Sequence, residues 1–282
     1  LDSLVNQSML KWEVIIINDT GTMSGFTHRW LQGFPFAQVY HNPKCRGTAA
    51  SRNVGIQMAK APLIVFLDAD DYLQPLTLDI LQKAYKLHGG WSYMNWYDQD
   101  GAVKVAGDWS GDQLTQKMLG PITGLYARED LNLIGGFDEN CPGWEDWDLQ
   151  LSLLEKGICG VKVEYPGLTY RYHTGINRER DYNNKDRNID YIYNKHLKLY
   201  QNKEFLMACK KCGGGGGNTV TIMSPTSAAN SANFASIPDG DFVTLRYTGS
   251  EVQKKRVNSV VKRGVSYIFS ASQPILNVYP QD

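Results

Sequence analysis

The segment Leu63-Ile64-Val65-Phe66-Leu67-Asp68-Ala69-Asp70-Asp71 decides the fold class of this chain. Its five apolar residues predict a buried strand, and that strand runs directly into three carboxylates. A second run rich in β-branched residues, Trp12–Ile17, ends in the polar turn Asn18-Asp19-Thr20-Gly21. Between the two, Thr48–Lys60 has the spacing of a helix. This β-α-β alternation predicts an α/β, Rossmann-like fold with a mainly parallel sheet and flanking helices.

The rest of the first 200 residues predicts shorter elements of the same kinds. They are helices over residues 1–10, Leu76–Leu87 and Gln113–Leu119, and strands over Val39-Tyr40, Trp91–Trp96, Ala102–Val105 and Val161–Val163. In parallel sheets ligands bind at the carboxyl ends of the strands. Asp19 and the run Asp68 to Asp71 fall at such ends, so they are the first candidates for a binding site.

The overall composition describes a globular chain without a dominant charge. Its 282 residues include 29 basic and 29 acidic side chains, and 42% of them are hydrophobic, enough for a real core. A zero formal net charge gives no field that would gather nucleic acid or an anionic membrane, so neither partner is expected. No membrane span and no signal peptide are predicted. Five cysteines, an odd number, favour a reduced, cytoplasmic setting.

The composition changes near residue 207. Five consecutive glycines and a Ser/Thr/Ala/Asn-rich stretch predict a linker over residues 207–238, which would join a catalytic domain over 1–206 to a small β-rich module over 239–282. Cys209 and Cys212 form a C-x-x-C pair, but no second pair or close His pair accompanies them. Two unpaired thiols are therefore favoured over half of a zinc site.

The motif Asp68-Ala69-Asp70 has the chemistry of a metal and nucleotide site. Two carboxylates one residue apart, on the turn after a buried strand, can hold one hard divalent cation, Mn²⁺ or Mg²⁺, and a ribose hydroxyl. Aspartates also follow strands simply because they make good turns and helix caps. The position after Leu63–Leu67 favours the functional interpretation.

A second acidic cluster, Gly143-Trp144-Glu145-Asp146-Trp147-Asp148-Leu149, opens a predicted helix. The helix dipole by itself favours acidic residues there. A carboxylate between tryptophans at the mouth of a pocket could also take the proton from an acceptor hydroxyl. Trp144 and Trp147 could stack on a sugar face, and core packing of the two indoles is an equal alternative.

A third cluster, Tyr170-Arg171-Tyr172-His173, follows the predicted strand Val161–Val163. A neutral imidazole at His173 could complete a metal shell. Arg178 or Arg180 could clamp a diphosphate, although each alone is more typical of a solvated loop.

Five ordered signatures resemble glycosyltransferase family 2. They are Trp12-Glu13-Val14-Ile15-Ile16-Ile17-Asn18-Asp19, Ala50-Ser51-Arg52-Asn53-Val54-Gly55, Phe66-Leu67-Asp68-Ala69-Asp70-Asp71, Gly135-Gly136-Phe137-Asp138 and Glu145-Asp146-Trp147-Asp148-Leu149. The resemblance covers residues 1 to about 175. It implies an inverting GT-A glycosyltransferase that uses a nucleoside-diphosphate sugar and Mn²⁺ or Mg²⁺.

The resemblance also implies roles for individual residues. On the donor side, Asp19 would read the nucleobase, Arg52 would help to bind the nucleotide, Asp68 would bind the ribose and Asp70 the metal. His173 matches a histidine that some members place beside the metal. On the acceptor side, Asp146 would be the general base, preceded by Glu145. Apart from the resemblance, stacking on a sugar face makes Trp144 a candidate to contact the nucleotide sugar. The acceptor would be a glycan or a protein.

The chain also departs from the family pattern. Members usually begin with a further strand that forms part of the nucleotide pocket, and this sequence begins inside the expected first helix, so we expect a GT-A domain that lacks its first strand. Asn18 stands where the family often has an Asp. Residues 207–282 resemble a small β module of short tailed-phage proteins through their glycine tract and Val243-Thr244-Leu245-Arg246-Tyr247-Thr248-Gly249. That resemblance implies a phage-encoded enzyme in the host cytoplasm and a virion component as a further partner.

Two alternatives remain at this stage. A non-catalytic glycan-binding or virion-binding protein on a degenerate transferase scaffold would keep the fold and lose donor binding. A nucleotidyltransferase would use the same aspartates with two metals and would have no base at Asp146. The intact pair Glu145-Asp146 favours the glycosyltransferase.

Overall fold

The computed structural model describes residues 2–19, 37–171, 183–202 and 219–221. The chain divides into two compact units, Leu1–Thr219 and Val220–Asp282. The predicted linker over 207–238, including Cys209 and Cys212, lies outside the described residues except for 219–221, and the predicted β-rich module over 239–282 lies outside them entirely. The proposed domain boundaries therefore stay a prediction.

The described elements alternate between helices and strands through most of the first unit. The helices are α1 (Asp2–Val5), α2 (Thr48–Met58), α3 (Thr77–His88), α4 (Gly111–Leu114), α5 (Arg128–Ile134), α6 (Glu145–Glu155), α7 (Lys185–Lys195) and α8 (Leu197–Gln201). The strands are β1 (Val14–Asn18), β2 (Ala37–His41), β3 (Leu63–Val65), β4 (Tyr72–Leu73), β5 (Trp91–Tyr97), β6 (Val103–Lys104), β7 (Leu125–Ala127), β8 (Gly160–Thr169) and β9 (Thr219–Thr221).

The strands of the first unit form two sheets. In the smaller sheet β1 pairs with β2 in parallel, from Val14 opposite Ala37 onward. The larger sheet has the order β3-β7-β5-β8-β4, and β6 pairs with β5. Its longest ladder, β5 with β8, is also parallel, whereas the shorter β3–β7, β4–β8 and β5–β6 pairs are antiparallel. The predicted α/β fold with a mainly parallel sheet is confirmed, and its antiparallel pairs are an addition.

The core lies between the larger sheet and α6. Helix α6 is buried around most of its circumference, because Leu149, Leu151, Leu153 and Leu154 are all 1% exposed or less. Next to it an aromatic cluster covers the sheet. Phe66, directly after β3, meets the Phe137 ring edge-on at 5.1 Å. This contact fixes the loop before α6 against the carboxyl end of β3, and so brings the two acidic motifs of the sequence to one place.

The predicted helices at the chain start and near residue 113 are shorter than expected. Helix α1 ends at Val5, because the chain then turns to contact the start of α3: the Gln7 side chain donates to the Gln74 carbonyl at 2.8 Å and accepts from the Leu78 N–H at 3.1 Å. Helix α4 starts earlier, at Gly111, because the Ser110 side chain caps it. The contacts of Gln7 are tertiary and the Ser110 cap is a single local bond, so neither leaves a periodic signal in the sequence.

Candidate active site

The carboxylate of Asp19, which follows β1, is held by the protein itself. One oxygen accepts from the Asn42 amide at 2.6 Å and from the Arg46 N–H at 2.9 Å; the other accepts from the Gly47 N–H at 2.8 Å and from the Cys45 thiol at 3.2 Å. Burial alone would raise the pKa of Asp19, but these hydrogen bonds lower it to about 2. Asp19 is therefore ionised at neutral pH and fixes the segment between β2 and α2.

Arg52, on α2, links the two acidic motifs. Its Nη2 donates to Asp68 at 2.8 Å and its Nη1 donates to Glu145 at 3.2 Å. The guanidinium carbon lies 5.3 Å from the centre of the Phe137 ring, and the Arg52 side chain is 11% exposed. Burial lowers the pKa of Arg52, yet the surrounding carboxylates raise it above its usual value, so the side chain is a fixed positive charge.

The turn after β3 presents three carboxylates close together. Asp68 is 40% exposed and Asp70 is half-buried, whereas Asp71 is buried. Burial raises the pKa of Asp71 to about 6; the Arg171 N–H, which donates to it at 2.8 Å, opposes this, and Asp70 and Asp68 add to it. The negative charges of Asp68 and Asp70 therefore lie close together at this turn.

This turn fits a hard divalent cation. Two oxygen donors at an exposed turn leave coordination positions for substrate phosphates, as Mg²⁺ and Mn²⁺ sites commonly do. Within the described residues no group of three or more His, Cys, Asp or Glu side chains is arranged as a metal site. His173, the predicted third ligand, lies outside the described residues, as do Arg178 and Arg180.

The acidic pair opens α6 on the other side of Arg52. Glu145 turns toward Arg52, and Asp146 accepts a hydrogen bond from the Trp147 N–H at 2.9 Å. Burial and the neighbouring Glu145 raise the pKa of Asp146 to about 6, and Arg52 opposes the rise. A carboxyl group with a pKa near 6 is suited to accept a proton at neutral pH.

The two tryptophans of this motif have different surroundings. Trp147 is 8% exposed and its indole N–H donates to the Leu114 carbonyl at 2.6 Å, so it packs in the core and the suggestion that it stacks on a sugar is wrong. Trp144 is half-buried and precedes α6 with φ 59° and ψ 38°. Among the described residues it alone has positive φ without being glycine. Such a conformation costs about 1–3 kcal/mol and is common at functional sites.

Asn53, next to Arg52, fixes the loop between α5 and α6. Its side-chain amide donates to the Phe137 carbonyl at 2.9 Å and accepts from the Phe137 N–H at 2.8 Å; it also donates to Glu139 at 3.0 Å. Gly136 has φ +77°, and a Cβ there would lie 2.4 Å from the Asn53 oxygen. The loop thus needs glycine at this position, and Asn53 orients the residues that lead into α6.

A buried charge cluster attaches α7 and α8 to α6. Lys195 contacts Asp138 at 2.7 Å and Asp148 at 2.8 Å. His196 contacts Asp148 and Glu155 at 3.0 Å each, and the side chains of His196 and Asp148 are 1% and 2% exposed. Burial lowers the pKa of His196, but the two carboxylates raise it above its ordinary value. The cluster fixes the helix that carries Glu145 and Asp146.

A cavity of about 690 Å³ lies beside the loop between α5 and α6, away from the acidic motifs. It is lined by Asn53, the segment Leu133–Asn140, Ser152, Glu155, Lys156 and Lys195. Neither the carboxylates after β3 nor the pair opening α6 line it. This cavity therefore does not indicate where a nucleotide sugar would bind.

Arg52 thus joins the turn after β3 to the first turn of α6. Residues 1–103 match the model of Glycosyl transferase family 2. This chain is 25% identical over 232 residues to the chondroitin synthase of Pasteurella multocida (strain Pm70), and the match covers 69% of this chain and 24% of the synthase. The chain thus spans about a quarter of the length of this relative.

Solved structures identify the fold of the first unit as GT-A. Residues 1–349 of S. aureus TarS in complex with UDP superpose with a TM-score of 0.54 and 18% identity, over 74% of this chain and 64% of that one. The mannosyltransferase PcManGT from Pyrobaculum calidifontis, in complex with GDP-Man and Mn²⁺, gives a TM-score of 0.52 at 15% identity, over 70% and 59%. In the described part of the chain no helix is long and apolar enough to cross a membrane.

Of the predicted site residues, the structure brings together Arg52, Asp68, Glu145 and Asp146, with Trp144 next to them in sequence. Asp19 lies at the end of the neighbouring sheet. Sequence reasoning did not find the roles of Asn53, Lys195 and His196. Asn53 follows Arg52 in one of the family signatures, so a signal was present for it, whereas the partners of Lys195 and His196 are 40 or more positions away.

Proposed function

We propose that this chain transfers a sugar from a nucleoside-diphosphate sugar to an acceptor hydroxyl, with inversion at the anomeric carbon and Asp146 as the general base. The observation that carries the proposal is the bridge of Arg52 between Asp68 and Glu145, since it joins the turn after β3 to the start of α6. A donor held by the first and an acceptor held by the second would lie next to each other.

The donor side uses the carboxyl ends of β1 and β3. Asp68 would accept the ribose hydroxyls with the oxygen that Arg52 leaves free. Asp70, with His173, would hold Mn²⁺ or Mg²⁺, which when bound neutralises charge on the leaving diphosphate. Asp19 would face the nucleobase, where one of its internal hydrogen bonds must exchange for one to the base. Because TarS binds UDP in the same fold, a uridine diphosphate sugar is the donor to test first.

The acceptor side uses the first turn of α6. Asp146 would take the proton from the acceptor hydroxyl as its oxygen attacks the anomeric carbon, and the bond to the diphosphate oxygen breaks on the opposite face. This single displacement inverts the configuration. Trp144, held in its left-handed conformation, would present its ring to the sugar. The acceptor would be a hydroxyl of a glycan or a protein.

The donor half of this proposal is tested by calorimetry. UDP and UDP-sugars are titrated into the wild-type chain with and without Mn²⁺, and into Asp70→Asn and Asp79→Asn. Asp79 lies in the first turn of α3 and pairs with Lys83 at 3.0 Å, so its variant is a matched control away from the cleft. We expect Mn²⁺-dependent binding that is lost in Asp70→Asn and kept in Asp79→Asn. Equal affinity in all three proteins, or no binding by the wild type, contradicts the proposed donor site.

A further inference from the structure

The two ion pairs and the aromatic contact of Arg52 leave its guanidinium little freedom to bind a substrate directly. Nη2 is committed to Asp68, Nη1 to Glu145, and one face of the guanidinium covers the Phe137 ring. The Arg52 side chain is 11% exposed and connects α2 to the turn after β3 and to the first turn of α6. Its contacts indicate instead that Arg52 acts on the acidic pair Glu145-Asp146.

Asp146 needs a positively charged neighbour. It stands next to a like charge, Glu145, in the same helix turn, and it is half-buried, so both effects favour its protonated form. The opposing charge is that of Arg52 on α2. From β7 the neighbouring group is Tyr126, a buried phenol whose OH donates to the Ile122 carbonyl at 3.2 Å and which stays neutral. Among the described residues that act on the pKa of Asp146, Arg52 thus supplies the positive charge.

The guanidinium of Arg52 uses two separate nitrogens to contact two carboxylates. Arg52 holds the Glu145 carboxylate at 3.2 Å from Nη1 and so fixes it toward α2. A lysine is a single point charge and cannot bridge Asp68 and Glu145 at two separate nitrogens. The charge and the two-ended geometry of Arg52 therefore make separable contributions.

We infer that Arg52 is a positioning residue for the transfer reaction: by holding Asp68 and Glu145 on its two terminal nitrogens, it places its positive charge at the first turn of α6 and offsets the charge of Glu145 beside Asp146. The inference rests on the proposed function for the role of Asp146 as the base. The contacts themselves do not depend on it.

The test is a titration of Asp146 that needs no substrate. The chain is labelled with ¹³C at the aspartate carboxyl carbons, and the Asp146 signal is assigned by its loss in Asp146→Asn. We expect the titration midpoint of Asp146 to rise by about one pH unit or more in Arg52→Met, because an opposite charge nearby is removed. In Glu145→Gln it falls by about one pH unit, because a like charge is removed. Arg187→Met, which removes an exposed arginine of α7, leaves the midpoint unchanged.

Arg52→Lys keeps the measurement decisive if Arg52→Met does not fold. It retains the charge and loses the bridge, so its midpoint stays closer to that of the wild type. A midpoint in Arg52→Met that equals the wild-type value, or a rise in Glu145→Gln, overturns the inference. If the wild type is active, the acidic limb of its kcat/KM profile shifts upward with the midpoint in Arg52→Met. The predicted shifts in a protein that transfers no sugar would refute the proposed function and leave the role of Arg52 toward Asp146 in place.

Discussion

Replacing Lys195 by Met tests how α6 is held in place. Lys195 joins Asp138 and Asp148, and Asp148 is 2% exposed, so the substitution leaves a carboxylate buried with less compensation. Removing one partner of a buried ion pair costs about 3–5 kcal/mol. Lys195 itself is 32% exposed and Asp148 keeps His196 at 3.0 Å, so we expect the lower end, about 3 kcal/mol.

That loss is measurable by urea unfolding at pH 7. For a unit of about 200 residues, 3 kcal/mol corresponds to a fall in Tm of about 6–12 °C. The matched control is Lys156→Met, which removes an exposed lysine at the end of α6 and is expected to change the free energy of unfolding by no more than about 0.5 kcal/mol.

A double variant, Asp148→Leu with Lys195→Met, checks the cause of the destabilisation. If the cost comes from the unpaired Asp148, removing both charges recovers part of it, since a buried pair replaced by apolar residues is often close to neutral. A loss in Lys195→Met no larger than in Lys156→Met would refute the view that this cluster anchors α6.

Two further predictions concern the loops around the cleft. Gly136→Ala should destabilise the protein by about 2 kcal/mol more than Gly135→Ala, because both positions have positive φ but only at Gly136 would a Cβ meet the Asn53 oxygen, at 2.4 Å; equal losses in urea unfolding would contradict this. Asp19→Asn should cost about 1 kcal/mol at pH 5, after allowance for solvent screening. Since the pKa of Asp19 is depressed to about 2, its contribution is present above its unfolded pKa near 4 and is lost as the pH falls toward 2. A difference between wild type and Asp19→Asn that is the same at pH 5 and pH 3 would show that this carboxylate is not held as described.

The sequence predicted those parts of the fold that depend on local pattern. The strands ending at Asp19 and Asp68 carry apolar runs that can be identified without a structure, and α6 is predicted by its leucine spacing. The short strands β4 and β7 were not predicted, because two or three residues give no period and their pairing with β8 and β3 is set by tertiary contacts.

The candidate site was predicted in its residues but only partly in its contacts. The resemblance to the family pointed to Arg52, Asp68 and Asp146, yet the bridge of Arg52 to both acidic motifs joins positions 16 and 93 residues apart along the chain. Trp147 was proposed as one of two sugar-stacking residues, and its core position follows from packing against α4 that spacing alone does not reveal.

The central claim is that Asp146 deprotonates the acceptor in an inverting sugar transfer, and it is tested most directly by the product. Wild type and Asp146→Asn are incubated with a panel of UDP-sugars, Mn²⁺ and glycoside acceptors, and the anomeric configuration of the new bond is determined by proton NMR. We expect a product inverted relative to the donor, formed at a rate that falls below pH 6, and a loss of about 10²–10⁴-fold in kcat with unchanged UDP binding in Asp146→Asn. A retained configuration, or full activity of Asp146→Asn, would contradict it.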